Sequence, residues 1–186
     1  MDDLQAIHRL KHKDISGLET LIARYQHKAV RMAYLITHDA SMAEDVVQDS
    51  FVRFYKSAHH FDETRRFEPY FLGSVIHAAL NAVEREKRIT DLPTGDDDTG
   101  PIETLLDQAV QVEDQVQLLQ LKREVFSALQ KLSPRQRAVI VQRYYLEMSE
   151  KEMSEALGSA PGTVKWLLNA ARQKLRHLLA SERMPE

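Results

Sequence analysis

The sequence predicts an all-α protein: two small helical domains joined by a flexible acidic linker, the second domain a helix-turn-helix. Three observations predict it. Apolar residues recur at spacings of three and four along most of the chain, as a buried helical stripe requires. The first half carries no strand signal. The helical pattern breaks once, at a segment whose composition and charge differ sharply from both sides. With 186 residues, 43% of them hydrophobic, the chain can bury one moderate core or two small ones.

In chain order, the first stripe is Ile15, Leu18, Leu21, Ile22, Tyr25, Ala29, Met32, Ala33 and Ile36. A second run follows at Ala43, Val46, Val47, Phe51, Phe54 and Tyr55. The third, Tyr70 to Arg88, sets Leu72, Ile76, Ala79, Leu80 and Val83 on one side and closes on the charged "EREKR". Residues 1–88 therefore read as one helical bundle.

The stretch "ITDLPTGDDDTGP", Ile89 to Pro101, contains two prolines, two glycines and four aspartates. Such a composition buries too little apolar surface to offset chain entropy. The apolar spacing of Ile102 to Leu118 is poor, so residues 89–118 are assigned as the linker. Charge agrees with this division: residues 1–88 carry 13 Lys and Arg against 13 Asp and Glu, residues 89–118 carry none against 8, and residues 119–186 carry 12 against 7. The formal net charge of −3 hides that asymmetry, which is the better guide to partners.

Residues 119–181 form the second helical set, with 182–186 as a tail. Leu121, Val125, Leu129 and Leu132 make a stripe that ends where Ser133, Pro134 and Gln136 supply an N-cap, a first-turn proline and a capping-box partner. That helix is expected to run through Val139, Ile140 and Tyr144. Ser149 with Glu152 is a second capping box, and Met148 with Met153 is placed to form a hydrophobic staple. Gly158 ends this short helix, and Pro161 suits the first turn of the next. A connection that short forces a steep crossing, the geometry of a helix-turn-helix.

The last helix separates its faces. Val164, Leu168, Ala171, Leu175, Leu178 and Leu179 should pack inward, while Lys165, Trp166, Asn169 and Arg172 fall elsewhere. In a helix-turn-helix the early exposed residues of this helix meet base edges, and its N-terminal amides face phosphate. Lys165, Trp166, Asn169 and Arg172 are therefore assigned to the groove, Gly162 and Thr163 to the DNA backbone. A solvated basic surface helix has the same silhouette.

Several function classes are disfavoured. The chain has no cysteine, which removes disulfides and thiolate metal sites. His8 with His12 and His59 with His60 are close pairs, but neither has further ligands at usable spacing, so no metal is expected. Neither a glycine-rich phosphate loop nor a nucleophile elbow occurs. No catalytic residue, cofactor or small-molecule substrate is assigned, and no enzyme activity is expected. Apolar runs are far too short to span a bilayer, and no leader opens the chain. A cytoplasmic protein without membrane insertion is expected.

Residues 129–179, with "LSPRQRAVIVQRYYLEMSEKEMSEALG" and "GTVKWLLNAARQKLR", resemble the C-terminal promoter-binding domain of bacterial sigma factors, most closely the extracytoplasmic-function group. A second motif, "HDASMAEDVVQDSFVRFY" from His38 to Tyr55, is similar to the helix by which that family grips core RNA polymerase. The resemblance implies that residues 1–88 bind core polymerase and melt the minus-ten element, and that residues 119–181 bind the minus-thirty-five element. Asp45, Gln48, Asp49, Val52 and Arg53 would face the polymerase.

The next segment occupies the place of the family's minus-ten reader. Its loop mixes His59, His60, Phe61, Arg65, Arg66 and Phe67, and aromatic and basic groups together suit a flipped base and its phosphates. Phe61 and Phe67 serve equally well as anchors of the loop to the core. His77, Asn81, Arg85 and Arg88 share one helical face beyond it. Tyr70 stands where the family usually has tryptophan, and Leu167 and Ala170 where arginines are common, which implies fewer phosphate contacts by the isolated domain.

The family further implies an anti-sigma factor as partner, any attachment to the membrane being made through it. It would place Asp96, Asp97 and Asp98 of the linker along the polymerase's nucleic-acid channels. Two other readings share parts of the pattern: a stand-alone helix-turn-helix regulator, and an adaptor that binds proteins alone.

Overall fold

The computed structural model describes residues 2–89 and 115–181. Most of the assigned linker, including Asp96 to Asp98, and the tail lie outside the described residues. The elements are α1 (Asp3–Lys11), α2 (Ser16–Thr37), α3 (Ala40–Ser57), a 3-10 turn (Ala58–His60), α4 (Phe67–Ile89), α5 (Gln115–Gln130), α6 (Pro134–Ile140), a π turn (Val141–Tyr145), α7 (Glu150–Leu157) and α8 (Pro161–Ser181). No strand occurs among the described residues. The all-α expectation holds.

Helix α2 is the spine of the first half and packs on α1, α3 and α4. Its inward stripe, Leu21, Tyr25, Ala29, Met32, Ala33 and Ile36, is buried as its spacing predicts. The Tyr25 hydroxyl donates to Asp3 at 2.5 Å, and Arg24 pairs with the same carboxylate, which ties α1 to α2. Ile15 is exposed because it stands before the helix, at the cap position. Tyr55 is exposed as well, one residue past Phe54 on the turn of α3 that faces outward.

Helix starts follow side-chain capping. Asp39 accepts the Met42 amide at 2.7 Å ahead of α3. Ser133 and Ser149 form the two expected capping boxes with Gln136 and Glu152. Met148 and Met153 are buried in one cluster with Val164, Leu168 and Ala171. Gly158 closes α7 at φ 55°, a conformation glycine adopts without the steric cost of a Cβ.

The sequence reading differs from the structure at four places in these elements. Helix α4 begins at Phe67, three residues before the predicted Tyr70 start. Helix α5 begins at Gln115, inside the segment assigned as linker. Leu121 and Val125 are exposed, because α5 packs through Phe126, Ala128 and Leu129 instead. The helix after Ser133 does not run regularly to Tyr144: after Ile140 the ladder widens to a π turn, in which the Leu146 amide reaches the Val141 carbonyl at 3.1 Å.

The two halves pack on one another. Phe126 of α5 stacks on Tyr34 of α2, with centroids 5.4 Å apart and planes 14° apart, and meets the His38 ring edge-on at 4.6 Å. Ala138 and Val141 join the core of the first half, and Leu35 touches both clusters. Helix α4 lies against α6 and α7, and Arg135 of α6 faces Glu84 of α4 at 3.8 Å.

Candidate nucleic-acid and polymerase interface

Three surfaces carry the assigned side chains. The first is the outer face of α3. Val46, Val47, Phe51 and Phe54 are buried, and the Phe51 ring lies 4.3 Å from that of Phe71. With that side committed to the core, helical geometry turns Asp45, Gln48, Asp49, Val52 and Arg53 outward, and all five are exposed. Arg53 is steadied by donating to the Ser50 hydroxyl at 3.0 Å, which donates in turn to the Val46 carbonyl at 2.7 Å.

Beside this face, α2 and α3 form a groove with Ile22, Val30, Phe51 and Val52 among its apolar lining and His27 and Arg31 at its edge. Sequence reasoning placed the polymerase contact on α3 alone. Val30 and Arg31 of α2 lie beside the buried stripe rather than in it.

The second surface is the loop from Ala58 to Phe67 with the start of α4. Here the structure corrects two assignments. Phe61 and Phe67 are only 6% and 3% exposed. Their rings belong to an aromatic cluster: Phe61 meets Tyr70 at 4.9 Å and Phe54 at 5.8 Å, and Phe67 meets Phe54 at 4.8 Å and Phe71 at 5.4 Å. They anchor the loop and are not free to stack on bases, because burying them removes large apolar surfaces from water.

Between these anchors the backbone is fixed from both sides. Lys11 donates to the Phe61 carbonyl at 2.9 Å and pairs with Glu63 at 2.6 Å. Asp62 accepts from the Thr64 hydroxyl and amide at 2.7 and 3.0 Å. Those bonds from Thr64 hold the Asp62 carboxyl below its ordinary range, and the bond from Lys11 does the same for Glu63.

His59, His60, Arg65 and Arg66 remain exposed on this scaffold, the two histidine rings 3.7 Å apart. The aromatic group beside them that does reach solvent is Tyr70, 36% exposed, with the Arg65 guanidinium 5.5 Å from its ring centroid. Sequence reading noted the tyrosine only as a replacement. Along α4, His77, Asn81, Arg85 and Arg88 are all exposed.

The third surface is the start of α8. Val164, Leu167, Leu168 and Ala171 are buried, and Lys165 and Asn169 are exposed on the other side. Trp166 is 66% exposed. Gly162 and Thr163 are exposed at the helix start. The Thr163 amide is taken by the Ala160 carbonyl at 2.9 Å.

Arg172 is partly covered; its Nε donates to the Tyr144 hydroxyl at 2.9 Å, and its guanidinium sits 5.7 Å from that ring's centroid. Tyr144, 60% exposed, is a second residue the sequence reading missed. It was counted in an apolar run, and the π turn re-aims it.

Among the described residues no group of three or more His, Asp or Glu is arranged to hold a metal ion. No helix of the described residues is long and apolar enough to cross a membrane. What the surfaces offer is recognition: charged and aromatic groups on rigid helices.

Both halves of the chain match known protein families. Residues 21–89 match the family described as Sigma-70 region 2, and residues 122–175 match Sigma-70, region 4. The chain is 26% identical over 176 residues to the ECF RNA polymerase sigma factor SigW of Bacillus subtilis, covering 93% of this chain and 94% of that one. It is 31% identical over 153 residues to the ECF RNA polymerase sigma factor SigL of Mycobacterium tuberculosis, covering 81% and 83%. Its fold is similar to that of the sigma factor RpoE of Bartonella quintana, solved in complex with the anti-sigma factor NepR, with a TM-score of 0.63, 21% identity, and 89% and 98% of the two chains covered. Two sigma regions in sequence order, and a 31% identical relative matched across most of both chains, fix the family: the chain belongs to the ECF RNA polymerase sigma factors, and it binds core RNA polymerase and promoter DNA to direct promoter-specific initiation of transcription.

Proposed function

We propose a division of that activity among the three surfaces. Residues 1–88 hold the polymerase and open the minus-ten element, and residues 119–181 read the minus-thirty-five element. Asp45, Gln48, Asp49, Val52 and Arg53 grip the polymerase together with the α2–α3 groove. His59, His60, Arg65 and Arg66 take the minus-ten strand, with Tyr70 as the stacking ring and His77, Asn81, Arg85 and Arg88 along its path. Gly162 and the hydroxyl of Thr163 meet phosphates, the Thr163 amide being taken by Ala160, and Lys165, Trp166, Asn169 and Arg172 meet base edges.

The observation that carries this reading is the exposure of Trp166, at 66%, on a helix whose other side buries Val164, Leu167, Leu168 and Ala171. Neither DNA contact needs to be strong alone. Once polymerase holds one domain, the tether makes the second contact a local event.

The sigma factor RpoE is solved with an anti-sigma factor, and we assign this chain a partner of the same kind, acting on the same surfaces. Its work is binding without chemistry of its own, carried out in the cytoplasm, and any hold on the membrane comes through that partner. The test is a footprint of the holoenzyme on a promoter it transcribes. Lys165→Ala with Arg172→Ala should erase protection at the minus-thirty-five element and leave the polymerase bound. Unchanged protection would remove the assignment of α8.

A further inference from the structure

Helix α1 precedes the residues that match Sigma-70 region 2, which begin at residue 21, yet both of its ends serve the loop from Ala58 to Phe67. The helix is mounted closely on α2. Ala6, Ile7 and Leu10 are buried, and a Cβ at Gly17 of α2 would collide with the Ala6 carbonyl. A helix seated that tightly carries its polar side chains on a rigid base.

At one end, Lys11 donates to the Phe61 carbonyl at 2.9 Å and meets the Glu63 carboxylate at 2.6 Å. At the other, Asp3 accepts from the Tyr25 hydroxyl at 2.5 Å, and the Tyr25 ring lies 5.4 Å from that of Phe67. Phe61 and Phe67 are the two anchors of the loop. Helix α1 therefore fixes the first anchor through its backbone and supports the second through Tyr25. Arg65 and Arg66 stand between the anchors, and they line a cleft against α1 with Asp3, Arg24 and Glu63.

We infer that α1 is a brace for the minus-ten loop and that Lys11 is a positioning residue for Arg65 and Arg66: by tying the Phe61 carbonyl and the Glu63 carboxylate to α1, it presents the loop to the separated strand in one conformation. The inference rests on the minus-ten reading above. An exposed loop loses backbone freedom when it closes on a strand, and holding it beforehand removes part of that cost. Lys11 acts through the loop, its ammonium being engaged by two oxygens of the loop itself. The ion pair is partly open to solvent, so it adds little to global stability. Its effect falls on promoter opening rather than on folding.

Charge and positioning predict opposite signs at Glu63. If the charge of the loop alone mattered, removing this carboxylate would draw the strand in more strongly. If the tie matters, removing it weakens the hold on the strand.

The test forms holoenzyme from core polymerase and each variant on a promoter found by mapping transcript starts, and reads opening from the permanganate reactivity of unpaired thymines. Lys11→Met keeps the apolar stem and loses the donor. It should lower opening about tenfold, with wild-type co-elution with core polymerase and a nearly unchanged Tm. Lys11→Arg, which keeps donors for both oxygens, should recover most of the loss. Glu63→Ala should lower opening several-fold. Wild-type opening in Lys11→Met, no recovery with arginine, or stronger opening in Glu63→Ala each overturns the proposal. If Lys11→Met lowers the Tm, Glu63→Ala decides alone, because its side chain is exposed and its removal leaves the core intact. The minus-ten reading is tested separately by Arg65→Ala with Arg66→Ala. Normal opening in that variant sinks the reading and the brace with it, whereas lost opening there beside normal opening in Lys11→Met sinks the brace alone.

Discussion

Arg172 on α8 is held by Tyr144 on the π turn, through a 2.9 Å hydrogen bond and a ring beneath its guanidinium. The two residues stand 28 positions apart in sequence. An arginine on an exposed helix ordinarily loses side-chain entropy when it binds DNA. Here part of that ordering is already present in the free protein, so under the proposed DNA contact Tyr144 would position Arg172.

Tyr144→Phe removes the hydrogen bond and keeps the ring, whereas Tyr144→Ala removes both. Binding of the minus-thirty-five element should weaken in that order, and Arg172→Ala should weaken it by about 1 to 3 kcal/mol if the guanidinium reads a base. Lys165→Ala should instead lower the salt slope by about one unit if it meets a phosphate. Fluorescence anisotropy of holoenzyme on duplex promoter across a salt series separates these outcomes.

Reversing charge at the proposed polymerase face, in Asp45→Lys with Asp49→Lys, should abolish co-elution with core polymerase in size exclusion. Both side chains are exposed, so helicity by circular dichroism should not change. Co-elution at wild-type strength would place the contact elsewhere, with the α2 groove the next surface to test.

Phe61 and Tyr70 touch, with centroids 4.9 Å apart, yet their substitutions should have opposite signatures. Phe61→Ala empties a buried site and should cost about 3 to 5 kcal/mol of stability, seen as a lowered Tm. Tyr70→Ala should leave the Tm nearly unchanged and impair promoter opening, measured by permanganate reactivity of unpaired thymines. If Tyr70→Ala melts promoters normally, Tyr70 is not the stacking ring.

His38 should make stability depend on pH. Burial, helped by the charge of Arg137, lowers its pKa from 6.5 to about 3. A depressed histidine is neutral when folded and takes up a proton on unfolding, so its contribution is fully present above pH 6.5 and is lost as pH falls from there toward 3. The slope should be less than the full ~1.4 kcal/mol per pH unit, because the residue as a whole is only partly buried and solvent screens part of the shift. Denaturant titrations at pH 7.5 and 5.5 should show this loss in the wild type and a smaller one in His38→Gln. Equal pH sensitivity in the two proteins would assign the effect to other groups.

Much of the fold was legible because it rests on local rules. The capping boxes at Ser133 and Ser149, the turn at Gly158 and the stripes of α2 and α8 are set by residues within a few positions of each other. Where partners are distant in sequence, the pattern alone misled. Leu121 and Val125 have helical spacing but no facing surface, since Phe126 takes the contact with Tyr34. Phe61 and Phe67 look like base-stacking rings in a basic loop, and only the packing of Phe54 and Phe71 shows them to be anchors. Tyr144 was hidden by a π turn that no apolar period reveals. The polar faces at Asp45 to Arg53 and at Lys165 to Arg172 were readable because they are what the buried stripes leave over.

The most direct measurement adds the purified chain to sigma-free core polymerase on a library of genomic fragments and maps transcript starts. Discrete starts that share two sequence elements at fixed spacing are expected, with the upstream element lost in Lys165→Ala, Arg172→Ala. Transcripts no more specific than those of core polymerase alone, from a chain that does not co-elute with it, would contradict the account.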